Sequence, residues 1–147
     1  MPLPPPRALA LHLVLTTTAL SFGSAYAANP AATPADLLAS HARDAVAADP
    51  AFAPSAARGE AFFHRRFTAE ARLPGCATCH TDDPRAAGKH AITDKAIRPL
   101  APSANAERFT DPAKVDKWFR RNCRDVVGRE CSAAEKADLI AYLVSVR

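Results

Sequence analysis

Cys76, Cys79 and His80 form a tight cluster of reactive side chains in the run Cys76-Ala77-Thr78-Cys79-His80. At this spacing two thiols can add across the two vinyl groups of one porphyrin while the adjacent imidazole reaches the iron. Three separate requirements of a covalent haem are thus met within five residues. The sequence therefore predicts one haem c, bound to both cysteines, with His80 as an axial ligand.

The four cysteines also allow a zinc site formed by Cys76, Cys79, Cys123 and Cys131. However, seven residues separate the second pair, whereas zinc sites usually place about two to four residues between paired cysteines. That spacing suits a disulfide better. A catalytic dithiol at Cys76 and Cys79 is a weaker alternative, because no βαβ pattern surrounds the motif.

The first residues of the chain have the pattern of a secretory signal peptide. In residues 1–27, Arg7 is the only formal charge, an apolar run follows it, and Ala25-Tyr26-Ala27 supplies small residues for cleavage. The apolar run is short for a membrane anchor and is interrupted by threonines. We therefore expect a single mature domain, residues 28–147, in the periplasm, where thiols oxidise and haem is attached.

The second axial position of the iron has several candidate ligands. Methionine is excluded, because the only methionine is Met1, which is removed with the signal peptide. The remaining possibilities are an open site or one of the following neutral donors: His41, His64, His90, Asn29, Asn105 and Asn122. His41 and His64 are interpreted as helix-surface residues, and His90, in the loop after the motif, is the best histidine candidate. For Asn122 the ordinary interpretation is a helix C-terminal residue.

Helix-start signals and prolines predict an all-α domain of short helices. The predicted helices start after Thr33, after Ser55, after Thr110 or Asp111, and after Ser132. The first helix should end near Ala48 and the third near Asn122. The second helix carries apolar side chains at helical spacing at Phe62, Phe63 and Phe67. The last helix does so at Leu139, Ile140, Leu143 and Val144. Prolines and glycine make residues 81–108 loop-like.

The order of these elements resembles class I cytochromes c. Gly59 and Phe63 lie one turn apart on the second helix and are expected to face Leu139 and Tyr142 of the last. The absence of a side chain at Gly59 would let the two backbones approach closely. The attachment motif and its loops lie between these helices in sequence. The resemblance implies a class I cytochrome c fold wrapped around one covalent haem.

A second resemblance is more specific and is closest from Pro99 to Leu143. Its motifs are Ala101-Pro102-Ser103, Arg108-Phe109-Thr110-Asp111, Lys117-Trp118, Arg121-Asn122-Cys123 and Gly128-Arg129-Glu130-Cys131, and they resemble the sphaeroides haem protein family. In that family the asparagine before the first cysteine of a disulfide is the sixth ligand of ferric iron. The resemblance thus implies ligation by Asn122 and a disulfide between Cys123 and Cys131. Trp118 lies one turn before Asn122, on the same helix face.

The same resemblance implies a function for the haem. The family is associated with uptake of oxygen or nitric oxide by the reduced protein, with nitric oxide dioxygenation and with reduction by a dihaem cytochrome c. Enzymatic turnover is therefore an expectation that follows from the resemblance alone. The alternative is an outer-sphere electron carrier whose iron stays six-coordinate, which the lack of methionine disfavours.

The charge of the chain excludes an ordinary nucleic-acid-binding protein. The full sequence has 19 basic and 15 acidic side chains, a net charge of +4, and loss of the signal peptide with addition of two haem propionates would bring this near neutrality. Basic residues nevertheless cluster around Asn122: Lys117, Arg120, Arg121, Arg124 and Arg129. They form either a solvated helix face or a surface that attracts an acidic redox partner or small anions.

Overall fold

The computed structural model describes Met1, Leu3 and residues 31–70 and 72–147, which form five α-helices and a small β-ribbon. The elements are α1 (Pro34–Ala48), α2 (Ala56–His64), α3 (Ala77–His80), β1 (Gly88–Lys89), β2 (Ala96–Ile97), α4 (Pro112–Asn122) and α5 (Ala133–Ser145). A π-helical turn, Cys123–Val127, follows α4. The predicted cleavage site before Ala28 and the candidate ligand Asn29 lie outside the described residues.

Side-chain caps start the long helices at the predicted positions. The Thr33 hydroxyl accepts a hydrogen bond from the Asp36 N–H, and the Asp36 carboxylate accepts one from the Thr33 N–H. Ser132 and Glu135 form the same reciprocal capping box at α5, and Asp111 caps α4. Each cap satisfies backbone donors that have no partner inside the helix, which confirms the predicted helix starts.

The core lies where α1 and α2 pack against α5. A Cβ atom at Gly59 would overlap the backbone carbonyl of Asp138, so only glycine permits this approach of α2 to α5. One turn later, the fully buried Phe63 ring lies 5.6 Å from the ring of Tyr142. The predicted pairing of the second and last helices is therefore confirmed.

Phe67 was expected on α2, but this helix ends at His64. The chain turns away because Arg65 takes an extended conformation, and the Phe67 N–H then donates to the Pro74 carbonyl at 2.7 Å. The Phe67 ring still reaches the core, where it meets Phe62 edge-on with centroids 5.6 Å apart.

The predicted loop of residues 81–108 contains a two-stranded antiparallel ribbon, with Gly88 opposite Ile97 and Lys89 opposite Ala96. Each strand is only two residues long, too short to show a hydrophobic alternation in the sequence. The described part of the chain has no helix long and apolar enough to cross a bilayer.

Candidate haem site

The attachment motif folds into a single helical turn. The N–H groups of Cys79 and His80 both donate to the Cys76 carbonyl, at 3.2 and 3.1 Å. This turn gathers Cys76, Cys79 and His80 on one short element, α3. Both cysteines are unpaired thiols and are partly exposed, so both sulfurs remain available for bonding to a cofactor.

The imidazole of His80 is held in its neutral form. Burial lowers the pKa of His80 to about 4, and the positive charge of Arg108 adds to this effect. A metal binds the neutral imidazole through a free lone pair. The electrostatic surroundings of His80 therefore suit an iron ligand.

The two cysteines lie in different surroundings. Burial raises the pKa of Cys76 to about 11, so this sulfur keeps its proton at neutral pH. Addition of an S–H group across a vinyl group would form the thioether. The Sγ atom of Cys79 accepts a hydrogen bond from the Ala91 N–H at 3.4 Å, which ties the turn to the following loop.

Gly88 contributes to the site in a way that sequence analysis did not identify. A Cβ atom at this position would overlap the carbonyl of Cys79 and lie close to the Cα atom of His80. Strand β1 therefore passes directly over the backbone of the attachment turn. An isolated glycine can indicate a close backbone approach, but nothing else in the local sequence distinguishes Gly88.

The loop from Arg98 to Arg108 is bonded to the segment that follows His80. The N–H groups of Leu100 and Ala101 both donate to the Pro84 carbonyl, at 2.8 and 2.9 Å. Within this loop the Pro99 carbonyl accepts from Arg108 and from Asn105. The loop is thereby fixed relative to the attachment turn.

Asn122 and Trp118 lie on the exposed side of α4. The Trp118 residue is 43% exposed, and the guanidinium of Arg121 lies 5.7 Å from its ring centroid. Asn122 is exposed and makes no side-chain capping bond at the start of the π-helical turn. Its amide is thus not committed to ending the helix.

A disulfide between Cys123 and Cys131 fixes the backbone next to Asn122. Both half-cystines are buried, whereas Asn122 beside them is exposed. The π-helical turn ends at Gly128, whose φ of 80° is a left-handed conformation that favours glycine. The covalent link excludes the rival zinc site, since Cys123 and Cys131 cannot then act as thiolate ligands.

His80 and Asn122 belong to separate elements. α3 packs against β1, whereas α4 contacts the π-helical turn that follows it. Residues that bind opposite faces of one haem would come from different elements, and His80 and Asn122 meet this requirement. The structure gathers Cys76, Cys79 and His80 in one turn and places Trp118 and Asn122 together on α4.

Two of the other candidate ligands are occupied by local bonds. Nδ1 of His90 accepts hydrogen bonds from the N–H groups of Ile92 and Thr93, both at 3.2 Å. In Asn105 the amide oxygen accepts from Arg98 and the amide nitrogen donates to Pro99. Each side chain would have to break these bonds to bind iron.

The interpretation of His41 as a helix-surface residue is wrong. This residue is only 7% exposed and its ring lies between α1 and α4, because it packs on the edge of Phe119. His64, by contrast, is exposed at the end of α2, as expected, with Nδ1 at 3.5 Å from Asp82.

Ion pairs occupy most of the basic residues near Asn122. Arg121 pairs with Asp125, Arg124 with Glu130 and Arg129 with Glu135. These pairs reduce the positive field of α4 and the π-helical turn and favour the interpretation as a solvated face.

Comparisons with known proteins identify the family of this chain. Residues 50–143 match the family described as a domain of unknown function, DUF1924. The chain is 46% identical over 127 residues to the cytochrome c-type protein SHP of Cereibacter sphaeroides, a match that covers 83% of this chain and 94% of that protein. It is also 47% identical over 94 residues to cytochrome c'' of Methylophilus methylotrophus, with 63% of this chain and 65% of that protein covered.

Solved structures show the same fold. The structure of oxidized SHP, described as an oxygen-binding cytochrome c, has a TM-score of 0.69 at 45% identity and covers 76% of this chain and 95% of its own. Oxidized cytochrome c'' from Methylophilus methylotrophus has a TM-score of 0.72 at 40% identity and covers 78% and 94%. The predicted all-α cytochrome c fold and haem c cofactor are therefore confirmed, and the chain belongs to the DUF1924 family and to the sphaeroides haem protein group of class I c-type cytochromes.

Proposed function

We propose that this chain is an exported, periplasmic monohaem cytochrome c that takes up a diatomic gas when its iron is reduced. In the ferric state His80 and Asn122 would be the two protein ligands of the iron. On reduction Asn122 would leave the iron, and the freed position would accept O2 or NO. The observation that carries the proposal is the exposed Asn122 side chain, which has no capping role and stands on a backbone held by the adjacent disulfide.

Ligand chemistry gives the direction of the change. An amide oxygen is a hard, weak donor that suits Fe(III), whereas Fe(II) prefers softer or back-bonding ligands. Reduction should therefore weaken the bond to Asn122. His80 stays in place because thioethers at Cys76 and Cys79 anchor the same helical turn. The change would therefore be confined to the ligand supplied by α4, Asn122.

A small difference in ligand affinity is sufficient for such a gate. A preference of about 3 kcal/mol between the two oxidation states changes the ratio of closed to open forms more than a hundredfold. The disulfide between Cys123 and Cys131 limits how far the backbone can move. Asn122 would then act mainly by rotation of its own side chain.

The description of oxidized SHP as oxygen-binding supports gas uptake in this relative of that protein. We further propose nitric oxide dioxygenation as the catalysed reaction, in which NO, O2 and one electron give nitrate. That balance requires an electron donor, for which a dihaem cytochrome c is our proposal. A groove beside the attachment turn is lined by Arg65 and Arg66, by Asp82, and by Arg72, which pairs with Glu70. Arg65 and Arg66 offer a basic contact for an acidic donor.

Variants of Asn122 test the proposed ligation. Asn122→Ala should leave the ferric iron open to water, with a high-spin optical spectrum, while ferrous carbon monoxide binding changes little. Asn122→His should give a low-spin protein that binds gas poorly. Lys117→Ala, an exposed change on the same helix, is the control and should match the wild type. A ferric spectrum of Asn122→Ala identical to that of the wild type would exclude Asn122 as a ligand.

The electron-carrier alternative requires another ligand that remains bound in both oxidation states. His90 is the candidate for that role. Its Nδ1 atom accepts two backbone hydrogen bonds, so its neutral form carries the proton on Nε2 and has no free lone pair for iron. This observation favours the gas-binding function.

A further inference from the structure

The tip of the β-ribbon, residues 91–95, lies against the second cysteine of the attachment motif. The Ala91 N–H donates to Sγ of Cys79 at 3.4 Å. Beside this bond, β1 passes so close to the attachment turn that a Cβ atom at Gly88 would overlap the Cys79 carbonyl. The ribbon tip is therefore a surface segment in direct contact with one of the two sulfurs that would hold the haem.

Hydrogen bonds hold the ribbon tip in one conformation. Nδ1 of His90 accepts from the N–H groups of Ile92 and Thr93, and the His90 carbonyl accepts from the Asp94 N–H at 2.9 Å. Asp94 has a φ of 56°, a left-handed conformation that is uncommon outside glycine, and its carboxylate pairs with Lys89 at 2.8 Å. A surface already fixed in this way loses little conformational entropy when a partner binds.

The ribbon tip presents an apolar side chain and a net positive charge to solvent. Ile92 is 42% exposed, and the other residues of the tip are exposed as well. Protein interfaces place apolar side chains at their centre and charged ones at their rim. The charged residues here are Lys89, Asp94 and Lys95, two cations and one anion. Their net charge of +1 favours a partner with an acidic surface.

We propose that the ribbon tip is a docking surface for an acidic one-electron donor protein. The inference deepens the proposed function and rests on its requirement that the iron be reduced. In the docked complex the donor loses one electron and the ferric iron gains it; no bond forms or breaks and no proton moves. Because the Ala91 N–H contacts the Cys79 sulfur, a protein seated on the tip would lie next to the covalent attachment point.

The surface around the tip extends the contact. Electron-transfer complexes commonly bury less than about 1,200 Å² in total, and the five residues of the tip form only part of such an area. The groove that contains Arg65 and Arg66 borders the same attachment turn at Ala77 and Thr78. The ribbon tip and this groove thus both border the turn that would carry the haem.

Carbodiimide cross-linking, which joins lysine amines to carboxylates of a bound partner, locates the contact. The probe is oxidised flavodoxin, an acidic one-electron donor protein, mixed at low ionic strength with the haem-loaded ferric protein. Peptide mapping should find cross-links mainly at Lys95 and few at Lys114 or Lys117 on α4. Cross-links concentrated on α4 would place the donor there and overturn the proposal, as would the absence of any complex.

The Kd for oxidised flavodoxin gives an independent readout. Ile92→Asp puts a negative charge on the tip and should weaken binding by about fivefold or more, and Lys95→Glu by about three- to tenfold at low ionic strength. Lys117→Glu makes the same change of charge on α4 and is the matched control, with an expected change below about twofold. Equal weakening by Lys95→Glu and Lys117→Glu would show that only net charge matters.

The ferric optical spectrum separates a partner contact from a haem contact. The spectrum and haem content of Ile92→Asp should match those of the wild type; a changed spectrum or lost haem would make Ile92 a cofactor contact and the proposal wrong. Reduced flavodoxin should reduce Ile92→Asp and Lys95→Glu more slowly than the wild type. The small methyl viologen radical cation needs no protein docking and should reduce them no more slowly. Equal slowing by both reductants would contradict a docking role.

Flavodoxin binding is measured with the ferric protein and without any gas, so this test is separate from that of the proposed function. A ferrous wild type that does not bind carbon monoxide would end the gas-binding proposal and leave the docking surface intact, since an electron carrier needs one too. Conversely, unchanged flavodoxin binding in both tip variants would remove the docking surface while gas binding stood.

Discussion

Nε2 of His41 on α1 lies 3.6 Å from Oδ1 of Asp116 on α4. The same imidazole packs edge-on against Phe119, with ring centroids 5.6 Å apart. His41 therefore joins the N-terminal helix to the helix that carries Trp118 and Asn122. Its protonation state should affect how firmly α4 is held.

We predict that His41 makes the protein less stable in mild acid. Burial lowers the pKa of His41 below its ordinary value of 6.5, and the positive charge of Lys136 lowers it further. The carboxylates of Asp116 and Asp44 act in the opposite direction but do not outweigh burial. The unfolded chain thus binds a proton at a higher pH than the folded protein does. Neutral His41 makes its full contribution to the free energy of unfolding above the pKa that His41 has in the unfolded chain. This contribution is lost as the pH falls below that pKa.

Urea unfolding of the ferric holoprotein between about pH 7.5 and about pH 5.5 measures this dependence. His41→Gln cannot titrate, so its free energy of unfolding should fall less over the same range. Carboxylates titrate equally in both proteins and cancel in the comparison. Parallel loss of stability in the two proteins would show that His41 is not responsible.

Covalent attachment predicts a haem that remains with the polypeptide in acidic organic solvent. The secreted wild type should have the mass of a chain that starts within one residue of Ala28 plus one haem. Cys79→Ser should retain one thioether, whereas the double variant Cys76→Ser with Cys79→Ser should lose its haem on extraction. Extraction of haem from the wild type would contradict the assignment of Cys76 and Cys79.

The disulfide should stabilise the fold beside Asn122. Cys123 and Cys131 are eight positions apart, and closure of a loop of this length contributes about 2–3 kcal/mol on the chain-entropy model. The double variant Cys123→Ser with Cys131→Ser should therefore unfold at a lower denaturant concentration, with a free energy of unfolding reduced by about 2–3 kcal/mol. Peptide mapping provides the control: alkylation of both cysteines in the wild type without prior reduction would show that the bond is absent.

Gly88 should be intolerant of a side chain. Gly88→Ala places a Cβ atom against the Cys79 carbonyl and should cost about 1–3 kcal/mol of unfolding free energy, as overpacking of a close contact does. Ala87→Ser, an exposed neighbour, should stay within about 0.5 kcal/mol of the wild type. Equal stability of the two variants would mean that β1 does not press on the attachment turn.

The parts of this fold that the sequence predicts are those set by local chemistry. Each capping side chain accepts a hydrogen bond from a backbone N–H three residues later, so the helix starts could be identified from the local sequence. The caps are Thr33, Ser55, Asp111 and Ser132. The attachment motif is equally local, since its three functional side chains share one turn.

Features that depend on distant packing could not be predicted. Burial of His41 requires α4 to lie against α1. The chain leaves α2 at Arg65, and the bond from the Phe67 N–H to the Pro74 carbonyl that follows joins residues seven positions apart. The close approach of Gly88 to the backbone of Cys79 and the position of Arg108 against the Pro99 carbonyl also depend on tertiary packing. The role of Asn122 as a ligand came from the family resemblance, because an asparagine at a helix end is by itself ordinary.

The most direct test of the central claim is the optical spectrum of the ferrous wild-type protein, recorded before and after rapid mixing with carbon monoxide. We predict a high-spin ferrous spectrum that converts fully and quickly to the carbon monoxide form, with no slow phase, because Asn122 has already left the iron. A low-spin ferrous spectrum that carbon monoxide does not change would contradict the redox-dependent release of Asn122.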